Sequence, residues 1–451
     1  MFMLGLALFA HSANVYSQTN GVVNIAETQT LHLDLQTALK IAQDNNPTIK
    51  IADLEIQRVD YAKKETIGNL LPNVSASGQY TNSLMKSVMF LPASMSAAFG
   101  GQNYMEVGYK NGYTGTISAS MPLVNFALWE SIKSKQNNID LILEQARSSK
   151  IDMAKQVKDA YFNVLLAEAS LSVLEQSIHN ANETLKTTKA AYEQGVASEY
   201  DYLSAQVQVN NLNPTLLSAK NGVDLSKLQL KMLLSLPSTQ EIVVTEKLSD
   251  YEENVNILTS MENHQAEAIM NNSSLRQIDL NIQNLQHTLK MTKYQHLPSL
   301  AAFGQYVYQT QAEDFKFEDY KWVSSAAVGL SLSIPIFQGN TIINQTKQVE
   351  LALQELEMQR DYAYQGQNLQ YTAAVNNMRT ANEQLVVNRE AIAQAERGYD
   401  IAKVRYNTGT GTILELNNSE LALTQSKLNY QQALYNFLSA QAALEQVLGR
   451  E

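Results

Sequence analysis

The residues able to do chemistry are few in this chain, and they are scattered. The six histidines are His11, His32, His179, His264, His287 and His296, and no two stand at i, i+4 to share a helix face as metal ligands. Cysteine is absent, which excludes a disulfide framework, a thiol nucleophile, a thiolate metal site and a lipid-modified N-terminal cysteine. Neither a phosphate-cradling glycine loop nor a nucleophile elbow is present. Met85, Met89, Met95 and Met105 cluster in sequence, and thioethers can escort soft metals such as Cu(I). Flexible apolar filling is the simpler role for such methionines. These residues support no enzyme, cofactor or metal centre.

Composition narrows the class. The 451 residues could hold two or three ordinary domains. Charged residues are only 17%, and the net charge of −11 comes from 33 basic against 44 acidic residues. Without a Lys/Arg block there is no footprint for nucleic acid. The apolar run Phe2–Ala10 is too short to span a bilayer and leads into small and polar residues up to Ser17. It reads as a secretory signal peptide over 1–17, although the usual positive charges before it are missing. A buried N-terminal strand is the alternative. No later stretch reaches about 18 consecutive apolar residues, the length of a spanning helix.

The elements are written twice. Leu71-Pro72-Asn73-Val74-Ser75-Ala76-Ser77-Gly78-Gln79-Tyr80 returns as Leu297-Pro298-Ser299-Leu300-Ala301-Ala302-Phe303-Gly304-Gln305-Tyr306. Tyr192-Glu193-Gln194-Gly195 returns as Tyr406-Asn407-Thr408-Gly409. A repeat of about half the chain means a duplicated domain rather than a solenoid. Pro72 and Pro298 stand where helical patterning gives way to alternation, and Pro122 and Pro335 where it resumes. Each half therefore reads helix, strand, strand, helix. Strands are expected near 72–90 and 105–122, then near 298–311 and 321–336. They alternate small polar with apolar residues, as in Tyr113, Gly115, Ile117 and Ala119 against Thr114, Thr116 and Ser118. The strand after Pro298 alternates poorly, because Ala301, Phe303 and Val307 fall on its polar face. Such a pattern suits a membrane barrel with a wet lumen or a soluble half-buried sheet.

Helical periodicity is stronger. From Met153 the row Val157, Ala160, Val164, Ala167, Leu171, Leu174, Ile178, Ala181, Leu185, Thr188, Tyr192 steps by four and three without a break. The row from Tyr364 through Tyr371, Met378, Leu385, Ile392 and Tyr399 to Tyr406 keeps the same register. Sustained heptads mean coiled-coil packing. Long helices are expected over about 128–194 and 341–408, each roughly 100 Å at about 1.5 Å per residue. Return helices are expected near 199–235, with Pro214 kinking it, and near 413–448. Four strands cannot close a membrane barrel, for which about eight is the smallest usual count. Open edges are not viable in lipid, so strands entering a membrane require several chains to share one barrel.

In order and spacing, these features resemble the TolC-like outer-membrane efflux proteins over essentially the whole chain after the signal. The carrying features are Asn46-Pro47, the Leu-Pro junctions at 71–72 and 297–298, Met121-Pro122-Leu123, Ile334-Pro335-Ile336-Phe337-Gln338-Gly339, and the two Tyr-x-x-Gly tips. The resemblance implies an α+β, mainly α, fold: a duplicated helix–strand–strand–helix unit at 18–236 and 263–451, joined by an equatorial segment at 237–262. It implies a homotrimer whose 12-stranded β-barrel in the outer membrane continues into a long coiled-coil tunnel in the periplasm. Expected partners are a periplasmic adaptor (membrane fusion) protein, an inner-membrane pump of the RND or ABC type, and outer-membrane lipid. Segments 90–104 and 312–320 would face outside the cell, and residues near 18–32 would join 237–262 around the tunnel's middle.

By position in the resemblance, Tyr406 takes the place of a gate tyrosine, Asp201 of its acidic partner, and Glu415 of the first acidic ring. Gly411 stands at the gate arginine position and Asn418 at the second acidic ring position. Those two departures imply an entrance without the family's arginine lock, less tightly latched and less blocked by cations. The tips Gly195, Val196, Ala197 and Gly409, Thr410, Gly411, Thr412 correspond to adaptor-docking turns. The expected function is an exit duct for small molecules such as drugs and toxic compounds. Alternatives are the exit duct of a type I protein secretion system and a soluble coiled-coil scaffold.

Overall fold

The computed structural model describes residues 30–92, 94, 103–257, 268 and 271–450. The expected signal peptide, most of the 90–104 segment with Met95, and His11 and His264 lie outside the described residues.

The first half opens with strand β1 (Leu31–Leu33) and helices α1 (Leu35–Asn45) and α2 (Pro47–Gly68). Strands β2 (Asn73–Asn82), β3 (Ser87–Phe90), β4 (Tyr104–Val107) and β5 (Asn111–Val124) follow. Then come the 68-residue helix α3 (Phe126–Glu193) and its return α4 (Glu199–Leu233). A short strand β6 (Ile242–Val244) and a 3-10 segment (Leu248–Ile257) lead to the second half. This runs α5 (Ser273–Tyr294), β7 (Ser299–Ala312), β8 (Val323–Ser333), the 67-residue α6 (Thr341–Asn407) and α7 (Ile413–Val447). Among the described residues no helix is long and apolar enough to cross a membrane.

The four long strands form one antiparallel sheet in the order β2-β5-β7-β8, so the two halves meet at β5 and β7. The register sorts the faces. Val74, Ala76, Tyr80, Tyr113, Ile117, Tyr306, Val328, Leu330 and Leu332 share one face, and Ser75, Ser77, Thr114, Thr116, Ser118, Gln305, Ser325 and Ser331 share the other. The poor alternation after Pro298 has a local cause. Phe303 pairs with Gly329 across the strands, and a Cβ on Gly329 would come within 2.9 Å of the Phe303 ring. The aromatic ring occupies the volume that the glycine leaves.

Two details differ from the sequence expectation. The strand expected over 72–90 is broken after Asn82, where the Asn82 amide donates to Asn111 Oδ1 (2.8 Å) and Ser83 N donates to Lys110 O (2.7 Å). Beyond this junction β3 and β4 form a separate two-stranded ribbon. Nor does Pro122 end its strand. It lies within β5, where the register shifts between Pro122 and Val124. A bulge is a position where a residue without an N–H is tolerated.

The helices pack as two antiparallel hairpins, α3 with α4 and α6 with α7, extended by α2 and α5. Asn46 joins two of the shorter helices. Its Oδ1 caps α2 by accepting from Thr48 N (2.8 Å), and its Nδ2 donates to Leu233 O at the end of α4 (2.9 Å). Asn272 plays the corresponding part at α5, accepting from Leu275 N (3.0 Å). The heptad rows are the seams, with Met153, Val157, Ala160, Val164, Tyr371, Met378 and Leu385 buried in the main core. Midway along α3, Tyr161 receives the parallel pair β1–β6. Its hydroxyl donates to Glu246 Oε2 at 2.5 Å, which also accepts from Tyr251 (2.7 Å) and Leu35 N (3.1 Å). Burial, then this carboxylate, pushes both phenols up in pKa.

Candidate functional site

The hairpin tips are built by backbone geometry before any side chain acts. Gly195 and Gly409 have φ of +72° and +73°, the left-handed region that glycine enters without strain. At each tip the helix ends with the same two bonds. Gly195 N donates to Tyr192 O and Val196 N to Ala191 O; Gly409 N donates to Tyr406 O and Thr410 N to Arg405 O. This is the Schellman arrangement. Gly411 is small for a different reason: a Cβ there would lie 2.9 Å from Arg405 Cβ. An arginine at 411 would displace this turn.

Asp201 and Glu415 stand at the third position of the return helices. Ser198 Oγ accepts from Asp201 N (3.1 Å), and the Asp201 carboxylate accepts from Ser198 N and Oγ (3.2 and 2.8 Å), a complete capping box. Thr412 Oγ1 accepts from Glu415 N (3.2 Å). The Glu415 carboxylate instead meets Arg405, with Nη1 at 3.3 Å from Oε2. Asn418 is exposed on α7.

Among the described residues, no bond joins one of the expected entrance residues to another. Tyr406 does not bond Asp201. Its hydroxyl lies 2.9 Å from Thr188 Oγ1 on α3, tying the second hairpin to the first. Thr188 is 1% exposed and Tyr406 half-buried, so this is a partly buried bond. At the other hairpin Tyr192 and Tyr202 stack with centroids 5.6 Å apart. The absence of an arginine at 411 does not leave Glu415 unpaired, because Arg405 supplies a guanidinium from the preceding helix. Sequence reasoning missed Thr188 and Arg405 as entrance residues. The former was legible as a seam residue, and Ser198-x-x-Asp201 and Thr412-x-x-Glu415 as capping signals; Arg405 carried no signal beyond its closeness to the turn. Val196, Thr410 and Thr412 are exposed and Ala197 is half-buried, so both tips present a small-residue surface.

At the opposite end of the rods the sheet lies open. Nearly all of β2 and β8 is exposed on both faces, and among the described residues neither strand has a partner on its outer edge. Aromatic rings gather at the end of the sheet farthest from the helices. Tyr113 contacts Tyr80, Phe317 and Tyr320, and Tyr308 stacks on Trp322 at 4.8 Å.

A family model described as "Outer membrane efflux protein" matches residues 38–235 and 266–450. The chain is 24% identical over 366 residues to "Outer membrane protein TolC" of Escherichia coli (strain K12), covering 76% of this chain and 72% of that one. It is 22% identical over 340 residues to "Alkaline protease secretion protein AprF" of Pseudomonas aeruginosa, covering 74% and 68%. Among solved structures, the outer membrane protein VceC from Vibrio cholerae superposes with a TM-score of 0.70 at 15% identity, over 92% of this chain and 96% of that one.

Proposed function

The chain belongs to the outer membrane efflux protein family, and we propose that three copies of it form one exit duct through the outer membrane and periplasm. The observation that carries this reading is the uncovered four-stranded sheet, both of whose edges are unpaired among the described residues. One face of it is mainly apolar and the other mostly small and polar, with Phe303 and Val307 as exceptions, which suits lipid outside and water inside. Its longest strands have 14 residues, ample for the roughly 9–11 that a tilted strand needs to cross a bilayer. In lipid an open edge is untenable, so β8 of one copy pairs with β2 of the next, giving about twelve strands in a closed even-numbered barrel. The aromatic cluster forms an interfacial belt, and the helices extend into the periplasm as the tunnel. A signal peptide over 1–17 is removed on export, and the described part of the linker, 237–257, belts the tunnel's middle.

Cargo passes without chemical change. Tyr406, Asp201, Glu415 and Asn418 mark the periplasmic entrance. The two tips dock a periplasmic adaptor, which joins the duct to an inner-membrane pump of the RND or ABC type. Small-molecule efflux is the leading reading. Similarity to a protein named for protease secretion supports export of a protein as the second.

Detergent extraction of the mature protein tests the duct. A trimer that needs detergent and conducts ions in a planar bilayer is expected, whereas a monodisperse monomer without detergent would overturn it. A strain lacking the protein separates the cargoes: sensitivity to dyes and antibiotics indicates efflux, and loss of a secreted protein indicates secretion.

A further inference from the structure

Among the described residues, Glu420 on α7 is the one carboxylate whose oxygens are both buried without a hydrogen-bond partner. The residue is 1% exposed. It occupies a seam position, since Ile413, Leu416, Glu420 and Leu423 follow heptad steps and are all buried. Apolar residues of all four long helices surround this level. Ala205 of α4, Tyr399 of α6 and Leu416 and Leu423 of α7 form one cluster, and Leu185 of α3 packs against it. An acid thus lies in the core where the two hairpins meet, about two turns from the Gly409 tip.

No cation neutralises it at contact distance. Among the described residues, Lys403 is the one charge acting on it to favour ionisation, and its ammonium lies over the Tyr399 ring, 5.7 Å from the centroid. On α6, Asp400 is the acid next to Tyr399, and Glu396 is paired with Lys427 of α7 (3.1 Å). On α3, His179 and Glu183 line an open cleft with Tyr399 and Lys403. Helix α4 has no charge beside Ala205, and Asp201, a turn earlier, is held by Ser198. Glu415, on α7 itself, is paired with Arg405. Burial therefore dominates and pushes the Glu420 carboxyl up to about 7.

We propose that Glu420 is a proton-dependent latch of the tunnel entrance, holding the two hairpins packed while its carboxyl is neutral and loosening them once it ionises. The proposal rests on the entrance reading above. An ionised carboxylate needs water or a cation, and in this seam either requires α7 to move. The packed value lies above the ordinary 4.5, so packing is favoured at low pH and weakens as pH rises from about 5 to 7. The packed-to-loosened ratio falls by up to about two orders of magnitude per chain.

The full trimer in detergent or bilayers tests this with two readouts. Conductance of the native protein is expected to rise between pH 5 and 8; that of Glu420→Gln should stay low and flat, while Glu420→Asp should keep a pH dependence. The chain has no cysteine, so a single thiol reports packing directly. Maleimide labelling of Leu423→Cys, normalised to the exposed Val196→Cys, should accelerate up to about a hundredfold over that range and lose this response when Glu420→Gln is added. A pH-independent labelling ratio, or one unchanged by Glu420→Gln, would overturn the latch. Absence of conductance at every pH would refute the channel reading instead, and the labelling would still decide whether Glu420 controls packing.

Discussion

Loss of the Tyr406 hydroxyl should open the entrance, because that hydroxyl joins the two hairpins to each other inside the protein. Its partner Thr188 is 1% exposed and 2.9 Å away, so Tyr406→Phe leaves the buried Thr188 hydroxyl without that partner. Leaving such a group unpaired costs about 1–3 kcal/mol. The closed arrangement should weaken by that amount in each chain, and about 1.4 kcal/mol is already tenfold in the closed-to-open ratio. Thr188→Val removes the same bond from the other side. With both changes present no polar group is stranded, so the double variant should open less than the sum of the single effects, with a coupling of about 1 kcal/mol. Single-channel recording in planar bilayers at neutral pH, on trimers of each variant, measures the open fraction directly. Unchanged conductance in both single variants, or strict additivity in the double, would refute the bond as an entrance tie.

Arg405 and Glu415 are both about half exposed, so their pairing should add little stability, within about 1 kcal/mol. Arg405→Ala should leave stability nearly intact while exposing three carboxylates at the constriction; block of conductance by divalent cations should increase, and adding Glu415→Gln should abolish the increase. Glu246→Leu strands the Tyr251 hydroxyl and Leu35 N and leaves the Tyr161 hydroxyl only its longer bond to Leu33 O (3.4 Å). It should destabilise each chain by about 3 kcal/mol or more, read as a lower thermal midpoint of the detergent-solubilised trimer, with single-channel conductance of the surviving trimers unchanged.

The architecture was legible because it rests on periods. The heptad rows through Val157 and Met378 and the alternation through Ile117 and Thr116 are repeated at matching separations, and each names a buried seam or a sheet face. What depended on a single contact was not legible. The Asn82–Asn111 junction that breaks the first strand, and the bulge that admits Pro122, are pairings between residues distant in sequence or shifts of one residue. The entrance shows the same division. Glycines at 195 and 409 follow from the turn, but Tyr406 reaching Thr188 rather than Asp201 depends on how two hairpins sit against each other. Glu420 could have been singled out from its heptad position between Leu416 and Leu423, since an acid in a seam is anomalous. Whether a carboxylate there is paired is decided only by its neighbours in three dimensions.

In the proposed duct, β8 of one copy completes its sheet on β2 of another, closing a barrel of three chains. Disulfide cross-linking tests it on a protein that lacks cysteine of its own. One thiol is placed along β2, at Ser75 or Ser77, and one along β8, at Ser325 or Ser331, all on the polar face. Scanned pairwise in outer membranes, at least one combination should yield covalent dimers and trimers, and nothing larger, on a non-reducing gel. Only uncrosslinked monomer at every combination, or an open ladder of higher oligomers, would contradict the closed trimer.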